Sequence, residues 1–189
     1  MMNRFKFLLP LLLLAACGQV HPLEGAKMGG PFTLTGEDGK EVRESDFRGK
    51  YRLVYFGYTF CPDVCPVDVQ KLMLGLKALE KQDPALAAKI QPLFITVDPE
   101  RDTPAALDAF TKAFHPRLIG LTGSPAAIAE VAKAYGVYFQ KSPGSTPDAY
   151  LVDHSRSATL YGPEGAPIAV IPETGSPEDI ARGLGRWVR

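Results

Sequence analysis

The chain has 189 residues, enough for one domain and short for two. Its 21 Lys and Arg balance 21 Asp and Glu, so it lacks the basic excess by which a phosphate-neutralising nucleic-acid binder is recognised. A hydrophobic content of 46% with 22% charged residues excludes wholesale disorder, and three cysteines are too few for a disulfide-rich scaffold.

The N-terminus reads as a targeting segment. Arg4 and Lys6 precede an apolar run from Phe7 to Ala16. That run is too short to cross a bilayer as a helix, which takes about 20 residues, but it suits the apolar region of a secretory signal. Leu14-Ala15-Ala16-Cys17 resembles the bacterial lipoprotein box, in which cleavage precedes the cysteine and the new N-terminal Cys is lipid-modified. Residues 1–16 are therefore expected to be a lipoprotein signal peptide and Cys17 a lipid anchor. Losing Arg4 and Lys6 takes the 21 basic residues to 19 against 21 acidic ones, a mature charge of −2. Cys61 and Cys65 then work where disulfides can persist.

Residues 17–31 are rich in Gly and Pro without an apolar period and read as a flexible tether, with His21 a solvated tail residue. A coil of about 14 residues reaches roughly 20 Å. Residues 32–189 are left for one folded domain. Phe32 to Thr35 and the stretch near Val42 flank Glu37-Asp38-Gly39-Lys40, a hairpin turn. Tyr51 to Tyr58 is aromatic and β-branched enough for a central strand. Val67 to Leu79 has helical spacing with Leu72, Leu76 and Leu79 on one face. Pro92 to Val97 is the continuous apolar run of a strand covered on both faces. Thr103-Pro104 opens a helix through Phe114, and Ser124-Pro125 opens one ending at Tyr135-Gly136. Strands near 137–140, 149–153, 157–161 and 167–171 follow, with Gly162-Pro163-Glu164-Gly165 as a turn, and Ser176-Pro177 caps a helix through Trp187. The pattern is an α/β mixed sheet flanked by helices, with an N-terminal hairpin and an antiparallel C-terminal portion. A thioredoxin-like layout is one of several folds it permits.

The informative segment is Tyr58-Thr59-Phe60-Cys61-Pro62-Asp63-Val64-Cys65-Pro66, where the central strand gives way to a helix. The residue before a proline avoids the α conformation, so the helix is expected to start at Cys65 or Pro66. Both sulfurs then sit at a helix N-terminus, where unpaired N–H groups favour thiolate. A structural disulfide closing so short a loop stabilises little. A thiol-disulfide oxidoreductase fits, although the usual redox spacing has one residue fewer. A peroxidase would want a lone activated Cys in a pattern that is absent. A metal site needs a further ligand, and thiolates with one imidazole suit copper or zinc. Residue chemistry divides metal and redox evenly. His115 ends a helix before Pro116, where a protonated imidazole would complement the helix C-terminus. His154 ends a strand, in a loop that would face the cysteines if the sheet is thioredoxin-like.

Four motifs in order carry a resemblance: Gly57 to Pro66; Val97-Asp98-Pro99-Glu100-Arg101-Asp102-Thr103-Pro104; Phe114-His115-Pro116 with Gly120-Leu121-Thr122-Gly123; and Val152-Asp153-His154-Ser155. With them the chain resembles the Sco/SenC family of copper-binding proteins of cytochrome c oxidase assembly. The resemblance implies a thioredoxin-like fold and one copper ion per chain, Cu(I) or Cu(II), held by Cys61, Cys65 and His154. It implies an extracytoplasmic metallochaperone, here tethered by its lipid to the outer face of the cytoplasmic membrane. The partners implied are the copper-centre subunit of the oxidase and other periplasmic copper chaperones or thiol reductases. Where family members continue after the histidine with an aromatic-Leu-aliphatic-Asp-Pro run, this chain has Thr159-Leu160-Tyr161-Gly162-Pro163.

The loop from Asp98 to Thr103 should lie beside the site. Asp98 or Arg101 would tune thiolate charge or bond a partner, or else they form an ion pair while Thr103 caps the next helix. Asp153 is a candidate to orient the imidazole, although adjacent strand residues point to opposite faces. The reading is a binding protein and not a turnover enzyme. Its rivals are a thiol-disulfide reductase using Cys61 and Cys65 as a redox-active pair, and a copper or redox sensor.

Overall fold

The structure, a computed structural model, describes residues 20–144 and 149–189. The expected signal peptide, the lipoprotein box and Cys17 lie outside the described residues.

Two apolar runs make the centre of the fold. β3 (Tyr51–Gly57) and β4 (Ile90–Thr96) pair in parallel from Tyr51 against Ile90 to Gly57 against Thr96. Both are buried along nearly their whole length, as strands covered on both faces must be. β5 (Ile119–Thr122) extends the parallel part beside β4. The hairpin of β1 (Thr33–Gly36) and β2 (Glu41–Arg43) closes one edge antiparallel, and β8 (Ala158–Tyr161) with β9 (Pro167–Ile171) closes the other. The seven strands run in the order β2-β1-β5-β4-β3-β8-β9. Not all of the antiparallel C-terminal portion joins this sheet. β6 (Phe139–Ser142) and β7 (Leu151–His154) form a separate two-stranded ribbon that pairs Phe139 with His154.

The helices are α1 (Val64–Gln82), α2 (Pro84–Ala88), α3 (Pro104–Phe114), α4 (Pro125–Ala134) and α5 (Pro177–Trp187). α3, α4 and α5 start as the sequence predicts. The hydroxyls of Thr103, Ser124 and Ser176 accept the backbone N–H of Ala106, Ala127 and Asp179 at 3.1–3.2 Å, each ahead of a proline. α1 packs closely on α5. At Gly75 an added Cβ would stand 2.3 Å from Ile180 Cγ2, so the approach of the two helices requires glycine there.

Two expectations are corrected here. Residues 20–31 are not a free tether but a strap on the domain. Leu23 N–H donates to Ile168 O (3.0 Å), Gly29 N–H to Ala134 O (2.9 Å) and Tyr135 OH to Gly30 O (3.0 Å). His21 is no solvated tail residue, since its ring stands edge-on to Trp187 with centroids 5.8 Å apart. Composition hides this docking because most of its bonds are made by the backbone. His115, the C-cap of α3, is buried and not a cation at a helix end. Its Nδ1 accepts Arg117 N–H at 3.1 Å, and burial lowers its pKa against the opposing pull of Glu80.

Candidate metal and thiol centre

The centre lies at the carboxyl end of β3. The strand's last residue, Gly57, is tightly surrounded: a Cβ there would meet Phe94 and Tyr55 at 3.0 Å and Cys65 Sγ at 3.3 Å, so a side chain would push on the sulfur and both rings. The loop that follows is fastened from the connection between β4 and α3. The buried Asp102 carboxylate accepts Thr59 N–H (3.0 Å), Thr59 OH (2.6 Å) and Thr96 OH (2.6 Å). Helix α1 begins at Val64, so Cys65 is helical despite preceding Pro66. Pro66 falls in the first turn, where its missing N–H has no intrahelical partner to lose. Asp63 holds the N-cap position without a side-chain bond. The Cys61 sulfur takes that role, accepting Cys65 N–H at 3.4 Å.

His154 arrives on the ribbon, 89 residues further along the chain, and places Nε2 3.1 Å from Cys65 Sγ. Its Nδ1 faces the carbonyl oxygen of Ser155 at 3.0 Å. A carbonyl only accepts, so in the neutral ring Nδ1 carries the proton and Nε2 presents its lone pair to the thiol. The rings of Tyr55 and Tyr58 stand edge-on to the imidazole at 6.3 and 6.0 Å. Tyr58 OH also accepts Val152 N–H (3.3 Å), fixing the ribbon against the cysteine loop.

The two thiols are free and buried, and they are unlike. Burial opposes ionisation of Cys61, but the N–H groups of Asp63, Cys65 and Val64 and the Cys65 thiol outweigh it and lower its pKa. Cys65 goes the other way: burial, reinforced by the neighbouring Cys61, pushes it far up. Burial also lowers His154, with Ser155 O opposing, which keeps the ring neutral at pH 7. Cys61 and His154 line one cleft of about 280 Å³ with Tyr58, Val152 and Arg156. A larger hollow of about 590 Å³ beside Leu79 and Gly185 has no thiol or imidazole, so size does not mark the site. Among the described residues no three His, Cys, Asp or Glu side chains already converge on one point. With Cys61 capping α1, an ion held here would have two sulfurs and one lone-pair nitrogen as donors, and these would have to draw in around it. Those donors are soft and suit copper, and each metal–sulfur bond formed would release a proton.

The loop residues behave as braces. Asp98 is fully buried, ion-paired to Arg101 Nε and accepting Tyr150 OH at 2.6 Å. The Arg101 guanidinium lies 3.6 Å over the Tyr150 ring, with Phe60 and Tyr58 at 5.1 and 5.8 Å. Asp153 does not orient the imidazole. Its carboxylate accepts Ser142 OH across the ribbon, because adjacent residues of β7 face opposite ways. Sequence reasoning missed Asp102, Asp68 and Arg156. Asp68 is almost fully buried and receives Tyr55 OH (3.0 Å) and two bonds from Arg156 (2.8 and 3.0 Å). The signal was available: it is a carboxylate on the buried stripe of α1 between Cys65 and Leu72.

A mixed sheet with a thiol pair at the N-terminus of the first long helix defines a thioredoxin-like protein, and the facing imidazole adds a soft-metal donor to it. The SCO1/SenC family model matches residues 20–189, and the chain belongs to that family. It is 45% identical over 148 residues to the mitochondrial SCO2 homolog of Bos taurus, covering 78% of this chain and 55% of that protein. The chain thus spans about half the length of that relative. Bradyrhizobium japonicum ScoI with copper bound superimposes with a TM-score of 0.77 at 41% identity, covering 85% of this chain and 99% of that one. A SCO1/SenC family lipoprotein from Bacillus anthracis str. Ames gives 0.67 at 26% identity, covering 85% and 94%. BsSco, a member of the Sco family of cytochrome c oxidase assembly proteins in which a disulfide switch was identified, gives 0.63 at 26%, covering 83% and 91%.

Proposed function

We propose that this protein binds one copper ion through Cys61, Cys65 and His154 and delivers it during assembly of the binuclear copper centre of cytochrome c oxidase. It works outside the cytoplasm, held at the outer face of the cytoplasmic membrane by lipid on Cys17. The observation that carries the reading is the 3.1 Å approach to Cys65 Sγ of Nε2 of a neutral His154 whose proton sits on Nδ1. A redox pair needs no imidazole there, whereas a copper ion gains from it a third donor. The copper bound by ScoI and the oxidase-assembly role of the Sco family named for BsSco support the same reading. The partner is the copper-centre subunit of the oxidase, with periplasmic copper chaperones or thiol reductases as sources of metal and electrons.

The test is copper stoichiometry on the purified protein in its two thiol states. Reduced protein is expected to hold one copper and disulfide-oxidised protein none, because ligation needs thiolates. Copper retained by the oxidised form would show that the ligands lie elsewhere. The anchor is tested separately: Cys17→Ser is expected to leave the membrane fraction, and equal retention would remove the lipoprotein reading.

One observation favours a second reading. Cys61 Sγ accepts the Cys65 N–H at the start of α1 and its pKa is lowered, whereas burial raises that of Cys65. That asymmetry suits a reductase of the oxidase's own cysteines. The Cys61 thiolate attacks a partner disulfide, the partner's second sulfur leaves as thiolate, and Cys65 resolves the mixed disulfide. The partner gains two electrons and this chain ends with a Cys61–Cys65 disulfide.

A further inference from the structure

We propose that Asp68 and Arg156 form a clamp that positions His154 over Cys65, making Arg156 a positioning residue for copper(II) binding. The inference rests on the copper reading above and names a part of the site that lies beyond the three donors. Asp68 sits on α1 one turn beyond Cys65, and Arg156 lies two residues beyond His154 in the connection between β7 and β8. Arg156 Nη2 donates to Asp68 Oδ1 at 2.8 Å and Nε to Oδ2 at 3.0 Å. This two-point fork fixes direction as well as distance.

The clamp therefore ties together the two segments that supply the imidazole and its facing sulfur. Tyr55 makes a third leg. Its hydroxyl donates to the same Asp68 oxygen (3.0 Å) while its ring edge stands against His154 (6.3 Å between centroids). The carboxylate is 1% exposed, whereas the Arg156 side chain is 48% exposed. A buried carboxylate held by a half-exposed cation is an expensive way to join two elements if packing were its only role. What the arrangement provides is orientation: α1 follows β3 of the seven-stranded sheet, the ribbon is separate from that sheet, and the clamp joins the two on the far side of His154 from the Tyr58–Val152 bond in sequence.

The consequences are specific. Loss of Arg156 should free the imidazole from its single arrangement and weaken copper(II), which depends on the nitrogen donor, more than copper(I), which two sulfurs can hold. Partners that orient a ligand typically contribute about 10–100-fold in affinity. Arg156→Ala is expected to weaken copper(II) binding by about 10-fold or more. Arg156→Lys, which keeps charge but loses the fork, should fall between it and the wild type.

The decisive measurement compares Arg156→Ala in two backgrounds. If the clamp acts through His154, the loss appears in the wild-type chain and vanishes in the His154→Ala chain. An equal loss in both backgrounds would overturn the proposal, since it would mean a general structural effect. The metal-free protein supplies a second readout. Nitrogen NMR of wild-type His154 should show one tautomer, protonated at Nδ1, and Arg156→Ala should show a mixture. A variant that keeps the single tautomer and the wild-type copper(II) affinity also overturns the proposal. Should Arg156→Ala fail to fold, Arg156→Lys and Asp68→Asn carry both measurements. If the wild type takes up no copper, the functional reading falls while the tautomer comparison still decides the clamp.

Discussion

Cys65 Sγ and His154 Nε2 meet at 3.1 Å across 89 positions of sequence, and the proton between them belongs to the sulfur. Ser155 O holds the proton of the other ring nitrogen, so the thiol donates and the imidazole accepts. A metal bound here would displace one proton and would find a nitrogen already aimed at it. His154→Ala is therefore expected to weaken copper(II) by more than the roughly 100-fold upper range for loss of an outer partner, and copper(I) less. The Cys61–Cys65 pair should still form and break its disulfide. Normal oxidase assembly by this variant, at wild-type expression and ordinary copper supply, would favour the reductase over the chaperone.

The thiols should also differ in reactivity. The Cys61 pKa is lowered, by backbone N–H donors that overcome its burial, while burial pushes Cys65 far up. Alkylation followed by mass spectrometry is expected to modify Cys61 first, with its rate rising at lower pH than for an ordinary thiol. Cys65 should remain unmodified over the same period. Earlier labelling of Cys65 would reverse the assignment of nucleophile and resolving thiol.

Much of this architecture was legible in the residues. Hydroxyl-Pro pairs mark the starts of α3, α4 and α5 because a cap and a fixed φ are local chemistry. The apolar run of β4 marks a strand covered on both faces for the same local reason. The His154–Cys65 contact is different in kind, since it depends on a ribbon that leaves the main sheet, and periodicity does not reveal which strands pair. Asp68 and Asp102 do not stand out in the sequence because a lone carboxylate in a helix or loop looks like solvated charge until its partners are known. Here those partners are Arg156 and Tyr55, and Thr59 and Thr96. Asp153, adjacent to the imidazole in sequence, bonds away from it for a reason the strand pleat supplies.

His115 gives a pH dependence with a definite sign. Its folded-state pKa lies below the ordinary 6.5 because it is buried; Arg117 and Lys77 push the same way and Glu80 opposes. Above 6.5 both states are neutral and the group costs nothing. As pH falls through 6.5 the unfolded chain takes up the proton first, so stability declines until the folded-state pKa is reached. His154 shifts in the same direction, so the comparison must be between wild type and His115→Gln. Denaturant unfolding from pH 8 to pH 5 should show a shallower decline in the variant. Equal slopes would mean that His115 is protonated in the folded protein.

Two glycines facing different surroundings separate packing from propensity. Gly75→Ala would put a methyl group 2.3 Å from Ile180 Cγ2, and overpacking of this kind costs about 1–3 kcal/mol. Gly183, in α5, has nothing within 4 Å of its missing Cβ. Gly183→Ala should stabilise the protein by about 0.5–1 kcal/mol through helix propensity alone. Opposite signs in denaturant unfolding are expected, and a stabilising Gly75→Ala would show that α1 and α5 separate easily.

The strap formed by residues 20–31 makes the last prediction. Its ties are distributed: Leu23 to Ile168, Gly29 to Ala134, Gly30 to Tyr135, and His21 to the Trp187 ring. Each backbone tie is worth only about 0.5–1.5 kcal/mol net, so the strap should open locally, before the domain unfolds. Hydrogen exchange should therefore find the amides of Leu23 and Gly29 protected, but less than those of β3 and β4. Trp187 is the chain's single tryptophan, so its emission reports the contact directly. His21→Ala is expected to shift that emission, and removal of residues 20–31 should shift it further while the thiol centre, at the other end of β3, keeps its copper stoichiometry. Arg189 N–H donates to the hydroxyl of Tyr51 at the start of β3, which places the C-terminus of α5 at the end of the strand opposite Gly57. Unprotected amides together with unchanged emission would return these residues to the free tether that their composition suggests.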